Sequence, residues 1–175
     1  SLEHPGVLVQ HGPILRVVFG PRDPSYISPI LSVIQSDLCE SGIDGVLSTH
    51  IQRDALEKFS YVSPIGAAGV YLHAVAGDFQ KEGAARELFK SMIREISALA
   101  AAMGYPFEKD YVKINLEILS NLSADATTSM QRDIMEGKPS ELDGLVMEPL
   151  RLAKKYSVSM PCYEEVANVL CPLEF

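Results

Sequence analysis

The apolar residues of this chain recur at helical spacing over most of the sequence after about residue 50. In the strongest run, from about Glu82 to Met103, they return every three or four residues, and Gly104 follows the last of them. Further helices are predicted at about 108–120, on either side of Gly137, and at about 161–170. Residues 50–175 are therefore predicted to form one helical bundle.

A proline interrupts the first helix of this bundle. One apolar face extends from Ile51 to Phe59, but Pro64 lacks an N–H group and should kink or break the helix. The residues at 66–69 are two glycines and two alanines, which favour close helix packing over contact with a ligand.

The first 49 residues have a different pattern. Two short strands are predicted around Val7–Val9 and Ile14–Phe19, joined by a Gly-Pro turn. A helix should begin near Ser28 and stop at Gly42, and a brief strand follows at 46–48. This β-β-α-β order is too small for an independent sheet enzyme.

One stretch, Thr127–Leu145, carries the signals of two helices and the turn between them. Its Thr/Ser cluster can cap the first helix, which Gly137 ends. Ser140 and Asp143 have the spacing of a shortened capping box for the second helix, and a kink is expected at Pro149.

The composition argues against several classes of partner and site. A formal net charge of −8 without clustered Lys or Arg argues against nucleic acid and anionic membranes. The longest apolar run, Ile96–Met103, is far shorter than the roughly 20 residues of a membrane span. Three cysteines without ligand spacing and four scattered histidines predict no metal site. Reduced thiols and the lack of a signal-peptide pattern predict a cytoplasmic protein.

The stretch from Thr127 to Leu145 resembles the C-terminal domain of the ketopantoate reductases (2-dehydropantoate 2-reductases). The resemblance is carried by Ser-Met-Gln-Arg-Asp-Ile at 129–134 and by Pro-Ser-Glu-Leu-Asp-Gly at 139–144. Ser129 and Glu141 keep the family's spacing. The resemblance covers nearly the whole chain, because it also includes Pro5–Gly20, Ala55–Phe59 and Ala153–Pro161.

The resemblance implies a mainly α fold with two parts. Residues 50–175 would be a helical bundle like the C-terminal domain of 6-phosphogluconate dehydrogenase. This bundle would form the substrate side of the enzyme and take part in dimerisation. Residues 1–49 would be the tail end of a Rossmann-type dinucleotide-binding domain. The sequence contains no GxGxxG turn, so the chain alone is expected to bind a nicotinamide cofactor poorly and to be inactive.

The resemblance also assigns roles to three residues. Lys58 would be the general acid for the reacting carbonyl, Ser129 would anchor the substrate, and Glu141 would complete the catalytic site and bind hydroxyls of the nicotinamide ribose or the substrate. We expect these side chains to converge on one cleft. Each residue also has an explanation that needs no substrate. Lys58 could be an ordinary solvated lysine, Ser129 could cap a helix, and Glu141 could be favoured by the helix dipole.

Three positions depart from the family, which has asparagines where this chain has Val62, Gly66 and Ala126. Losing three amides removes hydrogen bonds that would orient ketopantoate. Another 2-keto acid, a different residue set such as Ser60 and Ser63, or lost activity would each explain the change. Ser63, beside the first missing asparagine, is a candidate substrate-binding residue.

The implied activity is NADP-dependent reduction of 2-dehydropantoate, or a related 2-keto acid, to the (R)-hydroxy acid in pantothenate and coenzyme A synthesis. The expected partners are the keto acid, an N-terminal Rossmann domain missing from this chain, and a second copy in a homodimer. The rival hypothesis is a non-catalytic helical dimerisation or binding module that kept the family fold.

Overall fold

The computed structural model describes residues 2–9, 15–23, 25–26 and 28–171. The chain divides into two compact units, Ser1–Gln52 and Arg53–Phe175. In chain order, the elements are β1 (Leu2–His4), β2 (Val7–Leu8), β3 (Arg16–Phe19), α1 (Pro29–Glu40), β4 (Asp44–Leu47), α2 (Ile51–Leu72), α3 (Ala76–Gln80), α4 (Ala84–Ala102), α5 (Tyr111–Ser120), α6 (Ser129–Met135), a π-helix (Asp143–Met147), α7 (Glu148–Tyr156) and α8 (Pro161–Leu170).

The first unit contains two strand pairs. β1 and β2 are antiparallel, while β3 and β4 are parallel, with Arg16 opposite Asp44 and Phe19 opposite Leu47. Together with α1, the parallel pair forms a βαβ unit, the building block of doubly wound sheets. β1 was not predicted, and the turn predicted between β2 and β3 lies outside the described residues. That this unit ends a dinucleotide-binding domain stays a prediction.

The second unit confirms the mainly α prediction. Its core is centred on α4, which contacts α3, α5, α7 and α8. Of the eight apolar positions predicted for the core face of α4, Ala85 and Leu88 are only partly buried against the core. The other six are buried as predicted, each at most 2% exposed: Phe89, Met92, Ile93, Ile96, Leu99 and Ala100. The short helix α3 was not predicted.

A buried glutamate joins α4 to α8. Glu95 is only 9% exposed, and its two carboxylate oxygens accept the backbone N–H groups of Cys162 at 2.8 Å and Tyr163 at 3.1 Å. These N–H groups lie in the first turn of α8, where no helical carbonyl can pair with them. Burial, with hydrogen bonding to Glu95, raises the pKa of the Cys162 thiol to about 11, so the thiol stays protonated.

A kink or a break was predicted in α2 at Pro64. The break is wrong, because the helix is continuous from Ile51 to Leu72, and the kink stays a prediction. In a helix, the N–H of residue 64 would bond to the carbonyl of Ser60, and proline has no N–H. The buried Asn115 of α5 replaces it, since its Nδ2 donates to the Ser60 carbonyl at 3.1 Å and to Ser60 Oγ at 3.0 Å. The carbonyl is thus satisfied from a neighbouring helix.

Close packing at residues 66–69 is confirmed. Ala67 and Ala68 are fully buried. A Cβ atom added to Gly69 would lie 2.7 Å from Gln131 Cδ, so a side chain at this position would displace the Gln131 side chain.

We expect Asn115→Ala to lower the free energy of unfolding by about 1–3 kcal/mol, because it leaves the buried Ser60 carbonyl without a donor. In a Pro64→Ala background the loss should be smaller, since residue 64 then supplies the missing N–H. Urea denaturation of the four proteins measures this coupling. Lys113→Ala, an exposed change on α5, is the control, and equal losses in both backgrounds would contradict the compensation.

Candidate functional site

The elements that carry the predicted site residues meet around Gly66 of α2. A Cβ atom added to Gly66 would lie 3.1 Å from Met130 Cε, 3.8 Å from Leu145 Cδ1 and 3.9 Å from Thr128 Oγ1. Met130 and Thr128 belong to the start of α6, and Leu145 belongs to the π-helix. Atoms of α6, of its cap and of the π-helix therefore lie beside this position of α2.

Lys58, Ser129 and Glu141 lie on these three elements or at their ends, and all three are exposed. Lys58 precedes Gly66 by eight residues, which is about 12 Å along the axis of α2 and about 80° around it. Glu141 directly precedes the π-helix region, and its carbonyl accepts the N–H of Leu145 at 2.8 Å. The structure brings the elements together, while convergence of the side chains on one cleft stays a prediction.

Thr128 caps α6, which confirms that a residue of the Thr/Ser cluster caps this helix. Thr128 Oγ1 accepts the N–H of Gln131 at 3.2 Å, and Gln131 Oε1 accepts the N–H of Thr128 at 2.9 Å. This reciprocal pair is a capping box. Ser129, the next residue, takes no part in it, so helix capping does not account for its hydroxyl.

The capping box predicted for Ser140 and Asp143 is wrong. The Asp143 carboxylate accepts hydrogen bonds from both terminal nitrogens of Arg151, which lowers the pKa of Asp143. No side chain caps the start of the π-helix. The kink expected at Pro149 stays a prediction. This π-helix ends two residues before the proline.

Ser63 is hydrogen-bonded inside the core of the bundle. It is fully buried, and its Oγ donates to the Leu145 carbonyl at 2.6 Å. In an α-helix this carbonyl would accept the N–H of residue 149, but residue 149 is a proline and has no N–H. Because its one hydrogen is used there, Ser63 accepts from the Tyr163 hydroxyl. Burial raises the pKa of Tyr163, which keeps this donor protonated. In this arrangement the Ser63 hydroxyl has no surface open to a substrate, so its binding role stays a prediction that the geometry does not favour.

Two pockets adjoin the start of α6. The smaller, of about 170 Å³, is lined by residues that include Tyr61, Ala126, Thr127 and Thr128. The larger, of about 440 Å³, lies between the end of α2 and α6 and is mainly apolar. Neither is lined by Lys58, Ser129 or Glu141. The sequence analysis did not identify Tyr61 as a pocket residue. The only sign of it in the sequence is its position about one helical turn after Lys58.

Within the described part of the chain, no three His, Cys, Asp or Glu residues are grouped as metal ligands would be. None of the helices described is both long enough and apolar enough to cross a membrane.

Comparison with known proteins identifies related chains. The sequence model of one family, described as ketopantoate reductase PanE/ApbA C terminal, matches residues 50–174. A 2-dehydropantoate 2-reductase from Nostoc sp. is 24% identical over 135 residues, which cover 77% of this chain and 42% of that protein. The chain thus spans less than half the length of this curated relative.

Solved structures share the fold. A 2-dehydropantoate 2-reductase from Methylococcus capsulatus superposes with a TM-score of 0.81 at 24% identity, covering 94% of this chain and 52% of that one. A D-mandelate dehydrogenase in ternary complex with NADH and anilino(oxo)acetate has a TM-score of 0.76 at 17% identity, covering 88% of this chain and 64% of that one. At these identities the similarity shows the fold.

Substitutions of Ser63 and Ser129 should change the free energy of unfolding by different amounts. Ser63→Ala should lower the free energy of unfolding by about 1–3 kcal/mol, because it leaves the Leu145 carbonyl and the Tyr163 hydroxyl without a partner. Ser129→Ala, at an exposed position outside the capping box, should change it by less than about 0.5 kcal/mol. Urea unfolding followed by circular dichroism tests both. A neutral Ser63→Ala would show that its buried hydrogen bonds do not stabilise the bundle.

Proposed function

This chain belongs to the ketopantoate reductase family, and we propose that it forms the substrate-side domain of an enzyme that reduces a 2-keto acid with a nicotinamide cofactor. The observation that carries the proposal is the meeting of α2, α6 and the π-helix at Gly66. Lys58 lies on α2, Ser129 begins α6, Glu141 lies two residues before the π-helix, and all three are exposed.

Each of these side chains has a task in the proposed reaction. The Lys58 ammonium stabilises negative charge on the carbonyl oxygen and donates a proton to it. The Ser129 hydroxyl donates a hydrogen bond to the substrate carboxylate. The Glu141 carboxylate accepts hydrogen bonds from hydroxyls of the substrate or of the nicotinamide ribose. A reduced nicotinamide supplies the hydride for the carbonyl carbon.

The residues of this chain do not fit the cofactor's pyrophosphate. The sequence has no GxGxxG turn, and the described βαβ unit connects β3 to α1 through a loop that contains prolines. We therefore propose that a nucleotide-binding domain outside these 175 residues holds most of the cofactor.

We propose NADP as the cofactor and 2-dehydropantoate or a related 2-keto acid as the substrate, in pantothenate and coenzyme A synthesis in the cytoplasm. The Nostoc relative's name supports the substrate. The NADH and anilino(oxo)acetate of the mandelate dehydrogenase complex support the class of cofactor and of acid. A homodimer remains a part of the proposal that rests on the resemblance alone.

The second candidate is a non-catalytic helical module. The observation in its favour is that Val62, Gly66 and Ala126 offer no side-chain hydrogen bonds where the family has asparagines. An assay for turnover separates the two candidates.

We expect the chain, coexpressed with a nicotinamide-binding domain, to oxidise NADPH in the presence of 2-dehydropantoate or a related 2-keto acid. Lys58→Ala should lower kcat by about 10²–10⁴, the usual contribution of a general acid. Lys113→Ala, an exposed lysine on α5, is the matched control and should leave kcat unchanged. The decrease in NADPH absorbance with time measures the rate of NADPH oxidation.

Two results would contradict the proposal. Turnover that survives Lys58→Ala would remove the lysine from the mechanism. No NADPH oxidation with any 2-keto acid, by an assembly that binds the cofactor, would favour the non-catalytic module.

A further inference from the structure

Gln131 is a buried polar residue in the first turn of α6. It is only 8% exposed, although glutamines are mostly exposed in folded proteins. Its side chain lies against Gly69 of α2, since a Cβ atom added to Gly69 would lie 2.7–2.8 Å from three atoms of the Gln131 amide. A buried amide is costly unless its polar atoms are paired, so the partners of these atoms indicate what the residue does.

The Gln131 amide uses both its oxygen and its nitrogen. Oε1 accepts the N–H of Thr128 at 2.9 Å, which fixes the start of α6. Nε2 donates to the carbonyl of Ala74 at 2.8 Å, just beyond the end of α2. Ala74 is itself joined to α2, because its N–H donates to the Gly69 carbonyl at 3.0 Å. One side chain therefore connects the first turn of α6 to α2.

Ser129 lies inside this connection. It follows Thr128 and precedes Gln131 by two residues, so its backbone belongs to the turn that the Gln131 amide holds. Lys58 lies on α2, the helix at the other end of the connection. In the proposed reaction Ser129 binds the carboxylate and Lys58 acts on the carbonyl, and these groups are on adjacent carbons of a 2-keto acid. Their separation in the protein must be held closely, since a displacement of about 1 Å can lower a rate about 10²-fold.

We propose that Gln131 is a positioning residue, which sets the place of Ser129 relative to α2 through its hydrogen bond to the Ala74 carbonyl. The inference rests on the proposed function and deepens it, because it names a contact that aligns the substrate anchor with the helix of the general acid. Packing alone does not require an amide here, since an apolar side chain of similar length would fill the same space against Gly69. The amide adds a fixed direction, because hydrogen bonds have narrow ranges of distance and angle.

Other bonds hold the segment before α6 when Gln131 is changed. The N–H of Ala76 donates to the Ala126 carbonyl at 3.0 Å, and the N–H of Gly77 donates to the Ala124 carbonyl at 2.8 Å. These bonds join the segment to α3 and involve no side chain. We therefore expect substitutions of Gln131 to leave the bundle folded and to alter the first turn of α6.

A double-mutant cycle with Ser129 tests the inference. Gln131→Met keeps the length of the side chain and removes both hydrogen bonds. In the assembly with a nicotinamide-binding domain, it should lower kcat/KM for 2-dehydropantoate, or for whichever 2-keto acid the assembly reduces, about tenfold or more. In a Ser129→Ala background the same change should alter kcat/KM less than about twofold, because the anchor that Gln131 places is then absent. A loss of folded protein would lower activity equally in both backgrounds.

Gln131→Glu separates the connection to α2 from the helix cap. An ionised glutamate at this position still accepts the N–H of Thr128, as in the usual capping box, but it cannot donate to the Ala74 carbonyl. It should therefore lower kcat/KM with the same dependence on Ser129. A direct effect of the added charge would persist in the Ser129→Ala background, and this variant carries the test if Gln131→Met does not fold.

Gln80→Met is the matched control. Gln80 is also a glutamine that donates from Nε2 to backbone carbonyls, those of Leu119 and Leu122, each at 2.9 Å. It lies on α3, outside α2 and α6. The control should lower the midpoint of urea unfolding and leave kcat/KM within about twofold of the wild type.

The outcomes separate the inference from the proposed function. Equal losses of kcat/KM in the two Ser129 backgrounds, or an unchanged kcat/KM in Gln131→Glu, would overturn the positioning role and leave the reductase proposal in place. Turnover that is insensitive to Ser129→Ala would also overturn it, since no anchor would then need positioning. No turnover of any 2-keto acid, by an assembly that binds the cofactor, would overturn both.

Discussion

The second unit depends on one buried proline being accommodated inside its first and longest helix. A continuous α2 leaves the Ser60 carbonyl without its helical donor, because Pro64 has no N–H, and an unpaired buried carbonyl costs about 1–3 kcal/mol. Asn115 supplies that donor from α5. This hydrogen bond joins α2 to α5, and it replaces a backbone–backbone bond within α2 by one from a side chain to the backbone.

The same physical rule operates at the second proline and decides what Ser63 does. Pro149 leaves the Leu145 carbonyl without its helical donor, and the buried Ser63 hydroxyl fills the place. Tyr163 then donates to Ser63, so α2, the π-helix and α8 are held by one chain of hydrogen bonds. The Ser63 hydroxyl is thus used in the hydrogen bonding of the fold.

The apolar residues at the family's amide positions follow partly from packing. A side chain at Gly66 would require Met130 to move, since even a Cβ atom would lie 3.1 Å from its methyl group. Ala126 lines a pocket together with Tyr61, whose buried hydroxyl has no partner among the described residues.

The sequence by itself determined the helical class, the buried face of α4, the cap of α6, and the resemblance that singled out Lys58, Ser129 and Glu141. These are local signals, because periodicity, caps and motif spacing are set by residues close in the chain. Only the tertiary structure decided that α2 passes through Pro64, that Ser63 is buried and that Tyr61 is left unpaired. Each of those outcomes depends on whether a donor or acceptor from a distant helix reaches a particular atom, and no local pattern encodes that distance.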